Sequence, residues 1–577
     1  MDTLTGPAMG SNRQLMDGNW RTLRKLSYVG LIWMCACYIA FRFGTGDLSQ
    51  NPFLGVPAQR ALLQKLPQDA TGSADSSANV IPQGVGAAPG PSTTQTSVPS
   101  SGVVDRDVKI DKDAKNIDDI LSQLKEVSNI PYAYWDPKIP KPPITSKSCV
   151  KYPPLYDLQF NNLYWQKLNT NNGSFFIYGA YLDIRQRVGK VPLVRILAMI
   201  DRIKPTTKYC LLWYDNATMP VVSLASYTYA WYSRWGNYKD GLLQPFIVSC
   251  PAPFQKGRGL YPSSVSLVER QCTPPTNNVR VIHNAPEIKQ DFAVCVKGLD
   301  FLKDDLSVRL VEWIELLNIL GAKKIFFYEL EVHPNISKVL QHYVGKGIVD
   351  NTPLTLPGDM PNLPALRHQF LKQRTNHKRQ NELIPYNDCL YRNLYSYDFI
   401  ALLDIDEVIM PINHEGWADL MREAIQPQAL KEHNYTRASY NFRNVYFMDD
   451  MLKGEEMKHE VHEVGIPPYM HMLQHVYRAK NFTKPGAYVK CFHDTQRVVS
   501  LHNHFPLNCF GSCTTYSVPP EIAQMQHYRK DCVGPLQKSC ESEFKSSTIR
   551  DTTIWRYKDE LITRVTATLQ KLDFFAS

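Results

Sequence analysis

From Leu26 to Phe41 the chain reads LSYVGLIWMCACYIAF, 16 residues without a charge, bounded by Lys25 and Arg42. No other stretch constrains the rest so strongly, because it decides on which side of a membrane, and so in which redox compartment, everything beyond it folds. As a helix it is about 24 Å long at about 1.5 Å per residue, short for a hydrocarbon core of about 30 Å and better matched to the thinner bilayers early in the secretory pathway. Arg13, Arg21, Arg24 and Lys25 precede it. The positive-inside rule therefore keeps residues 1–25 in the cytosol, makes 26–43 a signal-anchor and sends the remainder into the lumen, a type II topology. A cleaved signal peptide or a buried helix are the competing readings of so short a run.

Features downstream agree with a lumenal location. Sequons stand at Asn172, Asn216, Asn335, Asn434 and Asn481, all beyond residue 150 and expected to carry glycans. Of the 13 cysteines, Cys35 and Cys37 lie in the span, which leaves an odd number from Cys149 to Cys540. An oxidising compartment pairs most of these and leaves at least one thiol free or intermolecular. Cys509, Cys513, Cys532 and Cys540 crowd together, but their loose spacing suits disulfides better than zinc. The net charge of +9 is spread along the chain without a basic block, which argues against a nucleic-acid partner.

At 577 residues the chain exceeds what one hydrophobic core organises, so two folded domains with accessory segments are expected. Residues 44–115 include GSADSSANVIPQGVGAAPGPSTTQTSVPSSG and hold too few large apolar side chains to bury a core, the mark of a disordered stem. Residues 116–148 read as a linker with a short helix, since Ile117, Ile120, Leu121 and Leu124 fall at helical spacing. From 149 to 287, runs such as SFFIYGAYLDIR, VPLVRILAMI and KYCLLWY are broken by turn residues, predicting a smaller all-β, sandwich-like domain. Its segment SYTYAWYSRW, with Tyr229, Trp231 and Trp235, either offers ring faces to a sugar or is core. From 288 to 577 the texture becomes α/β: strand QDFAVCVKGL, helix SVRLVEWIELLNILGA ending in Gly321, strand KKIFFYELEV, helix ISKVLQHYVGKG. That alternation predicts a parallel sheet, whose ligands sit beyond the carboxyl ends of its strands.

The segment YNDCLYRNLYSYDFIALLDIDEVIMP, Tyr386 to Pro411, carries the chemistry. A helix with Asn387, Asp388 and Arg392 leads into the apolar strand FIALL, which delivers Asp404, Asp406 and Glu407 at its end. Alternation along a strand puts Asp404 and Asp406 on one side and Ile405 on the other. Two carboxylates so placed suit Mn²⁺ or Mg²⁺, hard cations that bridge carboxylates to a diphosphate such as that of a nucleotide-sugar. The cation would stabilise the charge that develops on the departing diphosphate. A lone D-x-D on a solvated loop is common; the apolar strand before this one sharpens it.

These residues, with YGAYLDIR (178–185), VCVKGL (294–299), LVEWIELLNILGAKKIFFYE (310–329), KCFHDTQRVVSLHNH (490–504) and HYR (527–529), resemble glycosyltransferase family 92 from about Phe175 to Arg529. The resemblance implies a GT-A-type catalytic domain, inverting chemistry and transfer of galactose from UDP-galactose to glycoprotein glycans, core fucose of N-glycans among them, by a type II Golgi membrane protein. It implies metal ligation by Asp404, Asp406 and His504, with His502 as a neighbouring competitor. Donor contacts are implied for Val296, Lys297, Glu329, Asn387, Asp388, Asp404 and, at the diphosphate, Arg392 and Arg529. An inverting enzyme also needs a general base; Glu455, Glu456, Glu460, Glu463 and Asp494 are the acids in range, with Glu460, Glu463 and Asp494 carried forward. HEVHEVG does not meet the H-E-x-x-H zinc-protease pattern, since a single residue separates Glu460 from His462. Other UDP-sugars, or a non-catalytic lumenal glycan-binding protein, are the alternatives, and homo-oligomerisation is left open.

Replacing residues 1–45 by a cleaved signal sequence is expected to give a soluble, secreted, N-glycosylated protein. Unchanged gel mobility of the full-length chain after glycosidase treatment would contradict the lumenal topology.

Overall fold

The computed structural model describes residues 149–575 apart from 207–208, 216, 218, 256–260, 453–454 and 533–536, together with Ile130, Pro131 and Tyr134. The expected cytosolic tail, signal-anchor, stem and most of the linker, with Asn216, lie outside the described residues. Among the described residues no helix is long and apolar enough to cross a membrane.

The strands between Phe160 and Ile282 form one ten-stranded sheet, mostly antiparallel, in which Val279–Ile282 runs parallel to Gly173–Asp183. The expected all-β part is a single sheet, and its strand Gly173–Asp183 uses both faces. Phe175, Ile177, Ala180 and Leu182 point into a core made by this sheet alone. Phe176, Tyr178 and Tyr181 join a second core with Ile384, Leu390 and Tyr391 of the helix Leu383–Arg392 and with Ala293 and Cys295. The β-rich part is thus packed onto the α/β part over a shared apolar layer, at roughly 1.5–3 kcal/mol per fully buried large side chain.

The predicted strand–helix–strand–helix series is found as Gln290–Phe301, Ser307–Leu320, Ala322–Val332 and Pro334–Gly345. Gly321 ends the first helix at φ 112°, a backbone region a side chain would resist. The two strands, with Val349–Pro353 and Tyr397–Leu402, are four parallel neighbours in a seven-stranded sheet. Lys490–Asp494 pairs antiparallel to Tyr397–Leu402, matching Ala401 with Phe492. Helix Ser307–Leu320 is buried around most of its circumference, with Leu310, Trp313, Leu317 and Leu320 inside and Trp313 Nε1 donating to Glu407 O at 2.9 Å.

A three-stranded sheet completes the α/β part. Glu407–Pro411 pairs antiparallel with Ala523–Arg529, which pairs in parallel with Asn444–Met448. The hairpin Val498–His502 and Phe505–Cys509 turns at Asn503 and His504.

The motif YGAYLDIR ends in a fully buried ion pair between Asp183 and Arg185, joined by Arg195. Arg185 Nη1 also donates to the carbonyls of Thr495 and Val498, both at 2.6 Å, so the β-rich sheet fastens the loop between the strand of Lys490 and the hairpin of His504. Disulfides join Cys149 to Cys272, Cys210 to Cys250, Cys295 to Cys389, Cys509 to Cys513 and Cys532 to Cys540. Cys491 is left as the buried free thiol, and the crowded C-terminal cysteines are paired with one another. Asn172, Asn434 and Asn481 are exposed and Asn335 is half-buried.

Cys295–Cys389 ties the first parallel strand to the helix ahead of the carboxylate motif, closing a separation of 94 residues. Replacing both by Ala is expected to lower the unfolding free energy by about 2–5 kcal/mol, read from denaturant melts. An unchanged midpoint would mean that the packing around Cys295 holds the helix without the bond.

Candidate functional site

The strand Tyr397–Leu402 stops before the carboxylates, and residues 404–406 form a turn closed by Glu407 N donating to Asp404 O at 3.0 Å. The turn, rather than strand alternation, presents Asp404 and Asp406. It stands at the carboxyl end of the parallel strands, where Cys295 pairs with Leu402 and Lys297 follows two residues on.

Asp404 sits between two lysines. Its Oδ2 lies 3.0 Å from Lys297 Nζ and 3.6 Å from Lys490 Nζ. Lys490 is wholly buried, pairs with Glu407 Oε2 at 2.9 Å and donates to Asn503 Oδ1 at 2.6 Å. Glu407 Oε2 in turn accepts the Asp404 N–H at 2.9 Å, and Lys297 reaches Glu382 Oε1 at 4.0 Å. Burial opposes ionisation of Asp404, but Lys297 and Lys490 outweigh it and hold the carboxyl well below the usual range.

Asp406 is the open member, its side chain 44% exposed, with Oδ2 at 3.3 Å from His527 Nε2. Burial again opposes ionisation and His527 overcomes it, so Asp406 also titrates low. Burial likewise disfavours the His527 cation, yet Asp406 and then Glu407 raise its pKa above the ordinary value. Pairing of Glu407 with His527 across the antiparallel strands is what brings the imidazole here from the end of the chain.

His504 lies within electrostatic range of Lys490, Asp404 and Lys297. Its Nδ1 donates to Val489 O at 2.9 Å, which leaves Nε2 with a lone pair. Burial, then Lys490, pushes its pKa down to about 3, so the ring is neutral at physiological pH, as a metal ligand must be. Asp404 Oδ1 is buried and has no hydrogen-bond partner. The orphaned Asp404 oxygen and half-exposed Asp406 are oxygen ligands of the kind a hard divalent cation takes, while among the described residues no third side chain closes a metal-sized set with them.

Other expected residues are placed elsewhere. Val296 is in the apolar core, and Glu329 accepts from Asn351 Nδ2 at 2.6 Å. Asn387 is fully buried and spends its amide on Leu383 O, Leu501 O and Leu501 N. Asp388 is also fully buried; it accepts from Tyr181, from Tyr328 at 2.5 Å and from Arg392 Nε at 2.7 Å. Asn387 and Asp388 therefore fasten the helix rather than face a donor, and Arg392 is engaged as the partner of Asp388. Arg529 Nε donates to Asp531 O at 2.8 Å, two residues beyond His527.

Asp494 pairs with Phe399 in the antiparallel register, while Lys490, four residues earlier on the same strand, is the one at Asp404. Four residues of strand are about 13 Å, and the Asp494 carboxylate is occupied capping Gln496 N at 2.8 Å. Asp494 thus stands apart from the Asp404 turn. Glu460 is paired with Arg550 and accepts from Tyr477 at 3.3 Å, and exposed Glu463 is 3.4 Å from His459. Glu455 and Glu456 start the same helix, Glu455–Glu463.

Trp231 is buried and Trp235 half-buried, and both rings pack on His502, at 5.8 and 4.8 Å between centroids. Tyr229 OH donates to Gln244 Oε1 at 2.7 Å. These aromatics form a wall behind the His502–His504 turn. His502 is thereby an aromatic-packed core residue with its pKa driven well down by burial.

Lys490, Glu382 and His527 were not singled out by residue type. Lys490 and His527 open two of the quoted segments, KCFHDTQRVVSLHNH and HYR, and that placement was the signal available.

Fold and site together describe a mixed α/β domain with a cluster of charged side chains at the carboxyl ends of parallel strands. Residues 290–565 match the model of glycosyltransferase family 92, and that match supports glycosyl transfer. No curated protein matches the chain. A solved apo structure of the bifunctional glycosyltransferase WbbM overlaps 46% of this chain at 13% identity and a TM-score of 0.18, and the overlap covers 37% of that protein.

Lys490→Met leaves Asp404 and Glu407 short of a buried cation, an expected loss of about 3–5 kcal/mol at neutral pH. The low pKa of Asp404 means its contribution is present above the unfolded value of about 3.9 and is lost as pH falls through the folded one. Without Lys490 the folded pKa rises, so the acid-unfolding midpoint should move to higher pH. Equal acid and denaturant midpoints for variant and wild type would show that the network adds nothing to stability.

Proposed function

We propose that the chain is a metal-dependent, inverting galactosyltransferase of the Golgi membrane, type II in topology, that moves galactose from UDP-galactose onto glycoprotein glycans such as core fucose of N-glycans. The observation that carries the metal-dependent reading is the orphaned Asp404 Oδ1 beside half-exposed Asp406 at the carboxyl end of the parallel sheet. The sugar and the acceptor rest on the resemblance of the quoted motifs.

Asp404, Asp406 and His504 are the residues that would hold Mn²⁺ or Mg²⁺. Bound there, the cation supplies electrostatic stabilisation of the leaving nucleoside diphosphate. Lys297, fixed between Asp404 and Glu382 and 28% exposed, adds positive charge from the protein. His527 keeps Asp406 ionised and oriented, and Lys490 does the same for Asp404 and Glu407 from inside. With Asp494 at the far end of its strand and Glu460 held by Arg550, we assign Glu382 to the acceptor hydroxyl proton.

The full-length protein in detergent, offered a panel of UDP-sugars with Mn²⁺ and a fucosylated N-glycan acceptor, is expected to transfer galactose and to stop in excess chelator. Asp406→Asn should lower kcat by about 10²-fold or more, a loss typical of removed transition-state stabilisation, with its melting curve retained. Glu382→Gln should lower kcat while leaving the KM for the donor in place. Full activity in chelator would sink the metal role, and transfer of another sugar alone would replace the donor.

A further inference from the structure

Asp449, His471 and His475 meet away from the Asp404 turn. Asp449 follows the strand Asn444–Met448, and the histidines come from the irregular segment 467–476. Asp449 Oδ1 lies 3.4 Å from His471 Nε2 and 2.9 Å from His475 Nε2, and one ligand atom from each residue falls within 4.8 Å of the others. A tetrahedral ion with bonds of about 2.0–2.1 Å keeps neighbouring ligand atoms about 3.3 Å apart. The two carboxylate–imidazole distances are close to that edge.

Hydrogen bonding directs the lone pairs inward. His475 Nδ1 donates to His471 O at 2.6 Å, so in the neutral ring Nε2 carries a lone pair aimed at a carboxylate oxygen 2.9 Å away. Two acceptors at that distance need a proton or a metal cation between them, and the His475 side chain is only 3% exposed. Imidazole with its second nitrogen on a backbone carbonyl is the usual posture of a metal-bound histidine. Arg309 approaches the other oxygen, Asp449 Oδ2, at 3.9 Å and leaves Oδ1 to the rings.

The cradle is built from beneath. Glu312, fully buried in helix Ser307–Leu320, accepts the backbone N–H groups of His471, Met472 and Leu473 at 2.6, 2.9 and 3.1 Å. A carboxylate inside a helix is costly unless its oxygens are satisfied, and here they fix the segment that bears both imidazoles. A cavity of about 420 Å³, lined also by Asp305, Tyr469 and Gln474, opens beside the three side chains.

We propose that Asp449, His471 and His475 bind a divalent transition-metal ion, zinc by its preference for a two-imidazole, one-carboxylate set, at a site separate from the hard-cation site of Asp404 and Asp406. The ion pins the 467–476 segment to the end of the strand Asn444–Met448.

Full-length protein in detergent is stripped with chelator, titrated with Zn²⁺ against a chromophoric competitor and melted with and without Zn²⁺. Wild type and Asp406→Asn are expected to bind one equivalent and to gain melting temperature. Asp449→Asn and His475→Gln should bind at least about 10-fold more weakly and gain nothing. Should His475→Gln fail to fold, Asp449→Asn, at a part-exposed and isosteric position, carries the comparison. No zinc binding by wild type would overturn the proposal and leave a proton, in an imidazolium–carboxylate pair, between Asp449 and His475. Equal binding by Asp449→Asn would overturn it as well.

Discussion

The buried pairing of Lys490 with Asp404 and Glu407 is the interaction on which the site depends. A lysine with no access to solvent must be neutralised, and here it is neutralised by two carboxylates that a turn presents from successive elements. Neither acid could be buried in an apolar sheet end alone. The arrangement therefore fixes the turn, and the turn fixes where Asp406 meets solvent. Charge balance leaves the outer side acidic: Lys297 is shared between Asp404 and Glu382, and His527 is matched by Asp406.

The ten-stranded sheet contributes to this centre from a distance. Asp183 compensates Arg185, and Arg185 holds the carbonyls of Thr495 and Val498. Tyr181 reaches across to Asp388, which Tyr328 of the parallel sheet also reaches. A polar knot inside an apolar layer specifies one relative placement of the two sheets, since sliding either would strand a buried carboxylate. The resemblance segment YGAYLDIR owes its residue types to this knot, with Tyr181, Asp183 and Arg185 each spent on it.

How far the sequence could be read follows from the range of each interaction. The strand–helix alternation from Gln290 to Gly345 was legible because periodicity and Gly321 act over one turn or one strand. The carboxylate motif was legible for the same reason, although alternation was the wrong cause: the strand ends at Leu402 and a turn takes over. Asn387, Asp388 and Arg392 were polar residues on a helix and read as ligand contacts, but burial turned them inward. Asp494 is set apart by register, because an antiparallel strand brings only one of its ends to a given site, and that end carries Lys490. His527 was out of reach for the same kind of reason, since only the pairing of Glu407 with His527 sets it beside Asp406.

The strand Ala523–Arg529 ties the two centres together. Successive residues of a strand point to opposite faces, so His527 meets Asp406 on one side while the Tyr528 ring packs 6.5 and 6.1 Å from the rings of His471 and His475 on the other. Tyr528 N also donates to Asp406 O at 2.8 Å, which locks the strand to the turn. Any displacement of the 467–476 segment would therefore be felt first at Tyr528 and, through one peptide unit, at His527. Because that imidazole orients the most exposed carboxylate of the site, rigidity behind the strand is a condition for geometry in front of it.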